Sequence, residues 1–323
     1  MGVAFHSKMG RRGRILRIFA VAIALLALAG CGEQENPYPK VRLNKKVELA
    51  GVRQGDGRAL AQPRRELPLR VAIASILSPA KNLESYHDLL AYLERRLERP
   101  VELVQRMTYA EVNDLMRTRQ IDMAFVCTLA YVEGKREFGM ELLVAPQIRD
   151  QTVYYSYLIV PKESPVRSLM DLRGKAFAFS DPLSNTGRLV PTYQLSLMGT
   201  TPDAFFSRYV FTYSHDNSIV AVADRLVDGA AVDSLVYDFL ATKDPDLTAK
   251  TRIVARWGPY GIPPVVVHPD LDPSLKERLR AIFLDMHREL EGKWILNDLR
   301  IDWFVPIQDE AYDSIRRMVV KVR

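Results

Sequence analysis

Cysteine is almost missing from this chain: two residues in 323, Cys31 and Cys127. So few exclude a disulfide framework as the source of stability. Histidine is also scarce, and the five present are scattered, so no cluster has metal-ligand spacing and no metal or other cofactor is expected. No internal repeat is evident, and no G-x-S-x-G elbow occurs, the turn that would expose a catalytic serine. The one long uncharged apolar run, residues 18–29, is shorter than the roughly 20 residues a permanent membrane-spanning helix needs. What remains is globular: 48% hydrophobic, 26% charged, and long enough for two lobes.

The run at 18–29 follows a basic flank of Lys8, Arg11, Arg12, Arg14 and Arg17 and ends in Leu28-Ala29-Gly30-Cys31. Basic flank, apolar core and small residues directly before a cysteine resemble a lipoprotein signal peptide (residues 1–30), with Cys31 as the lipidated new N-terminus. The expected location is the bacterial cell envelope, anchored to membrane by lipid and facing the periplasm or exterior. Acylation of Cys31 would leave Cys127 without an intramolecular disulfide partner. Removing residues 1–30 takes five positive charges with it, so formal net charge falls from +6 to +1. The basicity therefore gives no support for a nucleic-acid partner. Residues 31–67 are polar and interrupted by proline and glycine, and read as a tether, with a short strand around 41–49 as an option.

From residue 68 short apolar runs alternate with helical spacing. Residues 69–74 suit a buried strand, and Leu89, Leu90, Leu93 and Leu97 share one helical face within 86–97. Pro100 stops that helix; 101–104 gives a second strand, Tyr109 opens a second helix, and 121–126 gives a third strand. Strands alternating with helices imply a parallel sheet, and ligands of such sheets sit beyond the carboxyl ends of the strands. That edge would carry Ser75, Ser78, Tyr109, Cys127 and Thr128. A similar series follows: strands at 153–160, 176–179, 209–213 and 230–234, with a helical face at Ile219, Val222, Ala223, Leu226 and Val227 closed by Gly229. The strand at 252–257 is expected to return to the first lobe. Asp272 and Pro273 start an amphipathic helix with Leu275, Leu279, Ile282, Phe283, Met286 and Leu290 inward.

The most informative stretch is Ser180-Asp181-Pro182-Leu183-Ser184-Asn185-Thr186-Gly187-Arg188-Leu189-Val190-Pro191, between a strand and a helix. Unpaired N–H groups and the helix dipole make such a place suitable for an anion. Ser184, Asn185 and Thr186 add side-chain donors, and Gly187 permits close approach. An ordinary N-cap explains the same residue types.

Tyr109-Ala110-Glu111, Gln120-Ile121-Asp122-Met123-Ala124-Phe125 and Thr128-Leu129-Ala130-Tyr131 resemble the first lobe of solute-binding proteins for phosphate, phosphite and phosphonate ABC importers. Asp181-Pro182-x-Ser184-x-Thr186-Gly187-x-Leu189-Val190-Pro191 resembles the anion loop of that family. Ser214-His215, with Ala221-Val222-Ala223 and Val227-Asp228-Gly229-Ala230, follows the same pattern. The likeness spans about residues 68–300. It implies a two-lobed α/β fold of the type II periplasmic-binding-protein kind, each lobe a mainly parallel sheet flanked by helices. Lobe one would be 68–152 with 257–323 and its C-terminal helices, lobe two 153–256, and the hinges near 148–155 and 254–262. It implies a binding protein rather than an enzyme, a monomer that captures a small phosphorus oxyanion and hands it to an ABC transporter permease. The ligand-binding set carried over is Tyr109, Ser184, Asn185, Thr186, Gly187 and His215, with Ser78, Thr128 and Asp233 as weaker members. Each has a duller reading: Tyr109 as packing, His215 as a helix-capping loop residue, Asp233 as the cap of the helix at 234–235.

Three departures narrow the ligand. Phosphonate binders of the family carry a second tyrosine where this chain has Val126, and Asn185 stands where a hydroxyl residue is usual. Aminoethylphosphonate binders use acidic residues at positions matching Ile262 and a place near Leu235, so an amine would lack its counter-charge here. That favours phosphite, phosphate or a small alkylphosphonate. Two alternatives stand beside this reading: a binding protein that feeds a membrane sensor kinase, and a serine hydrolase built from Ser184, His215 and Asp233.

Overall fold

A computed structural model describes residues 67–322. The expected signal peptide, Cys31 and the expected tether with its optional strand lie outside the described residues. Among the described residues no helix is long and apolar enough to cross a membrane.

Two sheets organise the chain. The first has the order β11-β4-β10-β3-β1-β2 and the second β7-β6-β8-β5-β9. In the first, β1 (Leu69–Ile73) lies parallel to β2 (Val101–Val104) and to β3 (Met123–Phe125). β4 (Glu141–Gln147), β10 (Val265–Val267) and β11 (Trp303–Val305) complete it through antiparallel pairs. The second repeats the plan: β6 (Ala176–Phe179) is parallel to β7 (Arg208–Phe211) and β8 (Gly229–Asp233). β5 (Val153–Pro161) is antiparallel to β8 and to β9 (Thr251–Gly261). Each sheet thus has three parallel strands at one end, which need helical crossovers, and antiparallel strands at the other, where the chain passes between sheets.

The expected return at 252–257 needs correcting. β9 pairs with β5 along its length and stays in the second sheet through Gly261. The chain therefore crosses at 148–152 and again at 262–264. The Ile262 amide donates to the Thr152 carbonyl, so the two crossings are bonded to one another.

Helices cover both sheets. α1 (Pro79–Leu97), α2 (Tyr109–Arg117) and α3 (Thr128–Phe138) belong to the first series. α4 (Val190–Leu197), α5 (His215–Ala223) and α6 (Ser234–Lys243) belong to the second, and α7 (Pro273–Asp285), α8 (Leu290–Asp298) and α9 (Asp313–Val322) follow. α1 begins earlier than its leucine stripe indicated, because Pro79 takes the first helical position, where its missing N–H costs nothing. Gly229 is not a helix cap. It opens β8, where a Cβ would meet Leu172 Cδ1 at 2.9 Å. Leu290, expected inward, is 75% exposed at the start of α8.

Asp272 does cap α7, accepting from the Leu275 amide at 2.9 Å. Leu89, Leu93 and Leu97 of α1 join Leu279 and Phe283 of α7 in the core beneath the first sheet. A separate core runs across both sheets and contains Tyr109, Leu129 and Tyr131 together with Leu189, Val190, Tyr312 and Ile315.

Candidate functional site

The loops beyond β1, β2 and β3 and those beyond β6, β7 and β8 meet. Two buried residues mark the junction: Tyr109, the first residue of α2, and Asp181, in the turn after β6. The Tyr109 amide donates to Asp181 Oδ2 at 3.1 Å, and Asp181 Oδ1 accepts from the Leu183 amide at 2.7 Å. Nearby, the His215 amide donates to the Ile76 carbonyl, and the Ser78 amide donates to Asp216 Oδ1 at 2.8 Å.

The strand-turn-helix stretch folds differently from a simple cap. Asn185–Leu189 is one turn of π-helix leading into α4, with the Leu189 amide reaching back to the Ser184 carbonyl. Ser184 caps it, its hydroxyl accepting from the Gly187 amide at 3.0 Å. The Ser184 amide is held by the Asp181 carbonyl, and the Asn185 amide donates to Cys127 Sγ at 3.4 Å. The expected row of outward-pointing amides is therefore largely occupied by the protein itself. Gly187 leaves no room for a side chain: a Cβ there would lie 1.9 Å from Ser180 Oγ and 2.9 Å from His215 Cε1.

The unpartnered groups are three hydroxyls and one amide oxygen instead. Six buried side-chain polar atoms lack a partner among the described residues, and four belong here: Tyr109 Oη, Ser180 Oγ, Asn185 Oδ1 and Thr186 Oγ1. All four residues are fully buried. An unsatisfied buried polar atom costs about 1–3 kcal/mol, so their concentration in one place points to a polar occupant. A second bonded group lies against them. Tyr154 Oη is 2.7 Å from Thr128 Oγ1 and accepts from Asn185 Nδ2 at 3.0 Å. Tyr154 is a site residue the sequence reading missed; its only signal was a tyrosine in the strand that crosses between sheets.

His215 is neutral. Burial pushes its imidazole down to about 3, with Asp216 opposing weakly. Nδ1 accepts from the Asp233 amide at 3.1 Å, so the proton is on Nε2, which faces Ser184 Oγ at 3.4 Å. That tautomer argues against a serine-hydrolase triad. There Nδ1 would donate to a carboxylate and Nε2 would take the serine proton, whereas here both roles are reversed.

Asp233 caps α6, with Oδ1 accepting from the Leu235 amide at 2.7 Å, the duller of its two readings. Burial also raises its carboxyl to about 7. Ser78 contributes its amide across the junction, and its side chain caps nothing. Beside the buried cluster lies a cavity of about 490 Å³, walled by Phe125, Val126, Tyr155, Asp233, Leu235 and Arg256 among others. Of the nine expected binding residues only Asp233 lines it. No group of three or more potential metal ligands occurs among the described residues.

Residues 71–312 match the family model described as ABC transporter, phosphonate, periplasmic substrate-binding protein. The phosphonates-binding periplasmic protein of Escherichia coli K12 is 27% identical over 245 residues, covering 74% of this chain and 71% of that protein. The phosphate-import protein PhnD of Mycolicibacterium smegmatis is 27% identical over 311 residues, covering 86% and 96%. Among solved structures, a binding protein component of an ABC phosphonate transporter from Pseudomonas aeruginosa superposes with a TM-score of 0.74 at 24% identity, covering 79% of this chain and 86% of that one. PhnD1 from Prochlorococcus marinus, solved in complex with methylphosphonate, gives 0.71 at 20% identity, covering 79% and 97%. These likenesses show the fold to be that of type II periplasmic binding proteins.

Proposed function

This chain belongs to the periplasmic substrate-binding proteins of phosphonate ABC transporters, and from that premise we propose that it captures a small phosphorus oxyanion (phosphite, phosphate or an alkylphosphonate) between two lobes and delivers it to an ABC importer. In this reading residues 68–152 and 262–323 form one lobe and 153–261 the other. The observation that carries it is the group of unpartnered buried atoms, Tyr109 Oη from the first lobe and Ser180 Oγ and Thr186 Oγ1 from the second. A tetrahedral oxyanion can accept from all three hydroxyls and from His215 Nε2, which offsets the cost of leaving them buried. Ser184 and Gly187 shape the turn, and Asn185 and Thr128 hold Tyr154 in place.

The two positions that match the acidic residues of aminoethylphosphonate binders carry no charge here. Ile262 is fully buried, its carbonyl occupied by Tyr312 Oη at 2.9 Å, and Leu235 faces the cavity. Neither supplies a carboxylate for an ammonium group. Cys31 is the proposed lipid anchor, holding the protein on a membrane facing the periplasm.

Titration calorimetry with phosphate, phosphite, methylphosphonate and aminoethylphosphonate tests the ligand class. The last should bind most weakly, and its binding more tightly than phosphite and methylphosphonate would refute the argument. Thr186→Ala removes one donor to a charged group, worth about 1.5–3 kcal/mol, or roughly a tenfold to hundredfold loss of affinity. Tyr109→Phe should weaken binding similarly while ligand-free thermal melts show no loss of stability. Unaltered affinity in both variants would place the anion elsewhere. For the anchor, Cys31→Ser should abolish incorporation of labelled palmitate and accumulate unprocessed precursor; normal labelling would sink that assignment.

A further inference from the structure

Two carboxylates of the second-sheet side sit on backbone N–H groups at the starts of first-sheet helices. Asp181 leaves β6 in a tight turn and holds its own Leu183 amide with Oδ1, while Oδ2 takes the amide of Tyr109, the first residue of α2. Asp216, in the first turn of α5, takes the amide of Ser78, which directly precedes α1, and Lys81 Nζ lies 3.7 Å from its other oxygen. They are 1% and 3% exposed. Both thus occupy the positive end of a helix belonging to the opposite side, where N–H groups favour a negative charge; at Asp181 burial outweighs them and raises the carboxyl. The Ser78 side chain makes no capping bond of its own, and Asp216 takes the Ser78 amide from across the junction, the bond an N3 carboxylate makes in a capping box.

We propose that Asp181 and Asp216 are positioning residues that latch the two lobes shut and so set ligand affinity without touching the ligand; this rests on the reading of the cleft as a binding site that closes. Opening pulls each carboxylate off its helix start into water. Hydration then compensates for the lost N–H bonds, and the bias toward closure is moderate rather than locking. Apparent affinity scales with the fraction of molecules in the competent, closed form. Losing a latch therefore lowers affinity for every ligand by one common factor, because the oxyanion contacts are untouched. A hydroxyl that touches the ligand has no reason to act so uniformly.

The test uses Asp181→Ala, Asp216→Ala and the milder Asp181→Asn and Asp216→Asn, which keep an acceptor oxygen and guard against misfolding. Thermal melts establish that each variant is folded. Calorimetry with inorganic phosphate, phosphite and methylphosphonate should show about a tenfold loss for each alanine variant, a smaller one for each asparagine variant, and the same factor for whichever of the three bind. Hydrogen exchange without ligand is the second arm. Peptides covering residues 74–82 and 105–112 should exchange faster in the matching variant, while those of β1 and β6 should not change. Faster exchange in variants of a protein that binds none of the three ions would uphold the latches while refuting the ligand reading. Affinities within twofold of wild type, ligand-dependent losses, or unchanged exchange in both segments would overturn the proposal.

Discussion

His215 and Asp233 trade a proton on folding, and the trade has a measurable sign. Unfolded, the imidazole binds a proton below about 6.5 and the carboxyl has lost its own above about 3.8. Folded, burial lowers the first to about 3 and raises the second to about 7. Between pH 4 and 6.5 each state therefore holds one proton on this pair, and the pair adds no slope to stability against pH. Single variants should uncover the two opposed contributions. In Asp233→Asn only His215 remains; its stability contribution is present above 6.5 and lost as pH falls, so stability should rise by roughly 1.4 kcal/mol per pH unit from 4 to 6.5. In His215→Gln the raised Asp233 remains, and stability should fall with a similar slope as pH climbs through that window. Urea melts at four pH values would decide it, and parallel slopes in wild type and both variants would disprove the buried, neutral assignment. The same neutrality means that no change in oxyanion affinity between pH 5 and 8 should trace to His215.

Among elements, the hydrophobic period was the most legible feature. The leucine stripe of α1, the runs of β2 and β6 and the Asp272–Pro273 start of α7 all follow from local chemistry and stand where the sequence put them. The turn after β6 was legible as a place and not as a geometry. Its Ser, Asn and Thr suit a cap and an anion site equally, and only the fold shows that Ser184 caps the turn while Thr186 is left unpartnered. Tyr154, Asp181 and Asp216 were unreadable as contacts because their partners Thr128, Tyr109 and Ser78 lie tens of residues away or more, across the junction. The start of α2 shows what a local device does for a distant contact. Thr108 and Glu111 form a capping box, with the Glu111 amide donating to Thr108 Oγ1 at 3.2 Å and Thr108 N donating to Glu111 Oε2 at 2.9 Å. That fixes the helix start from which Tyr109 presents its amide to Asp181. Thr108→Ala should cost about 1 kcal/mol of stability and weaken oxyanion binding severalfold. A loss of stability in chemical denaturation with affinity unaltered would mean the cap does not position Tyr109.

At the scale of the molecule, the two sheets are not independent bodies joined only at 148–152 and 262–264. The core that holds Leu129 and Tyr131 from beside the first sheet and Leu189 and Val190 from beside the second is completed by Tyr312, Ile315 and Met318 at the C-terminal end. α9 therefore packs on both sides at once, and Tyr312 also reaches the carbonyl of Ile262 at the second crossing. The closure proposed above is compatible with such a shared core only if the motion pivots about it. The packing there then has to be stiff while the junction beyond the strand ends moves. Ile315 is fully buried in this core, so Ile315→Ala should cost about 2–5 kcal/mol through lost contacts and the cavity left behind. Because the core is common property, that cost should register on both sheets. Hydrogen exchange under mild denaturant should accelerate together in β1 and in β6, and calorimetry should still show one transition at a lower temperature. Acceleration confined to β1 would mean that the second sheet carries its own stability, with α9 supporting one lobe alone and the pivot lying in the two crossings instead.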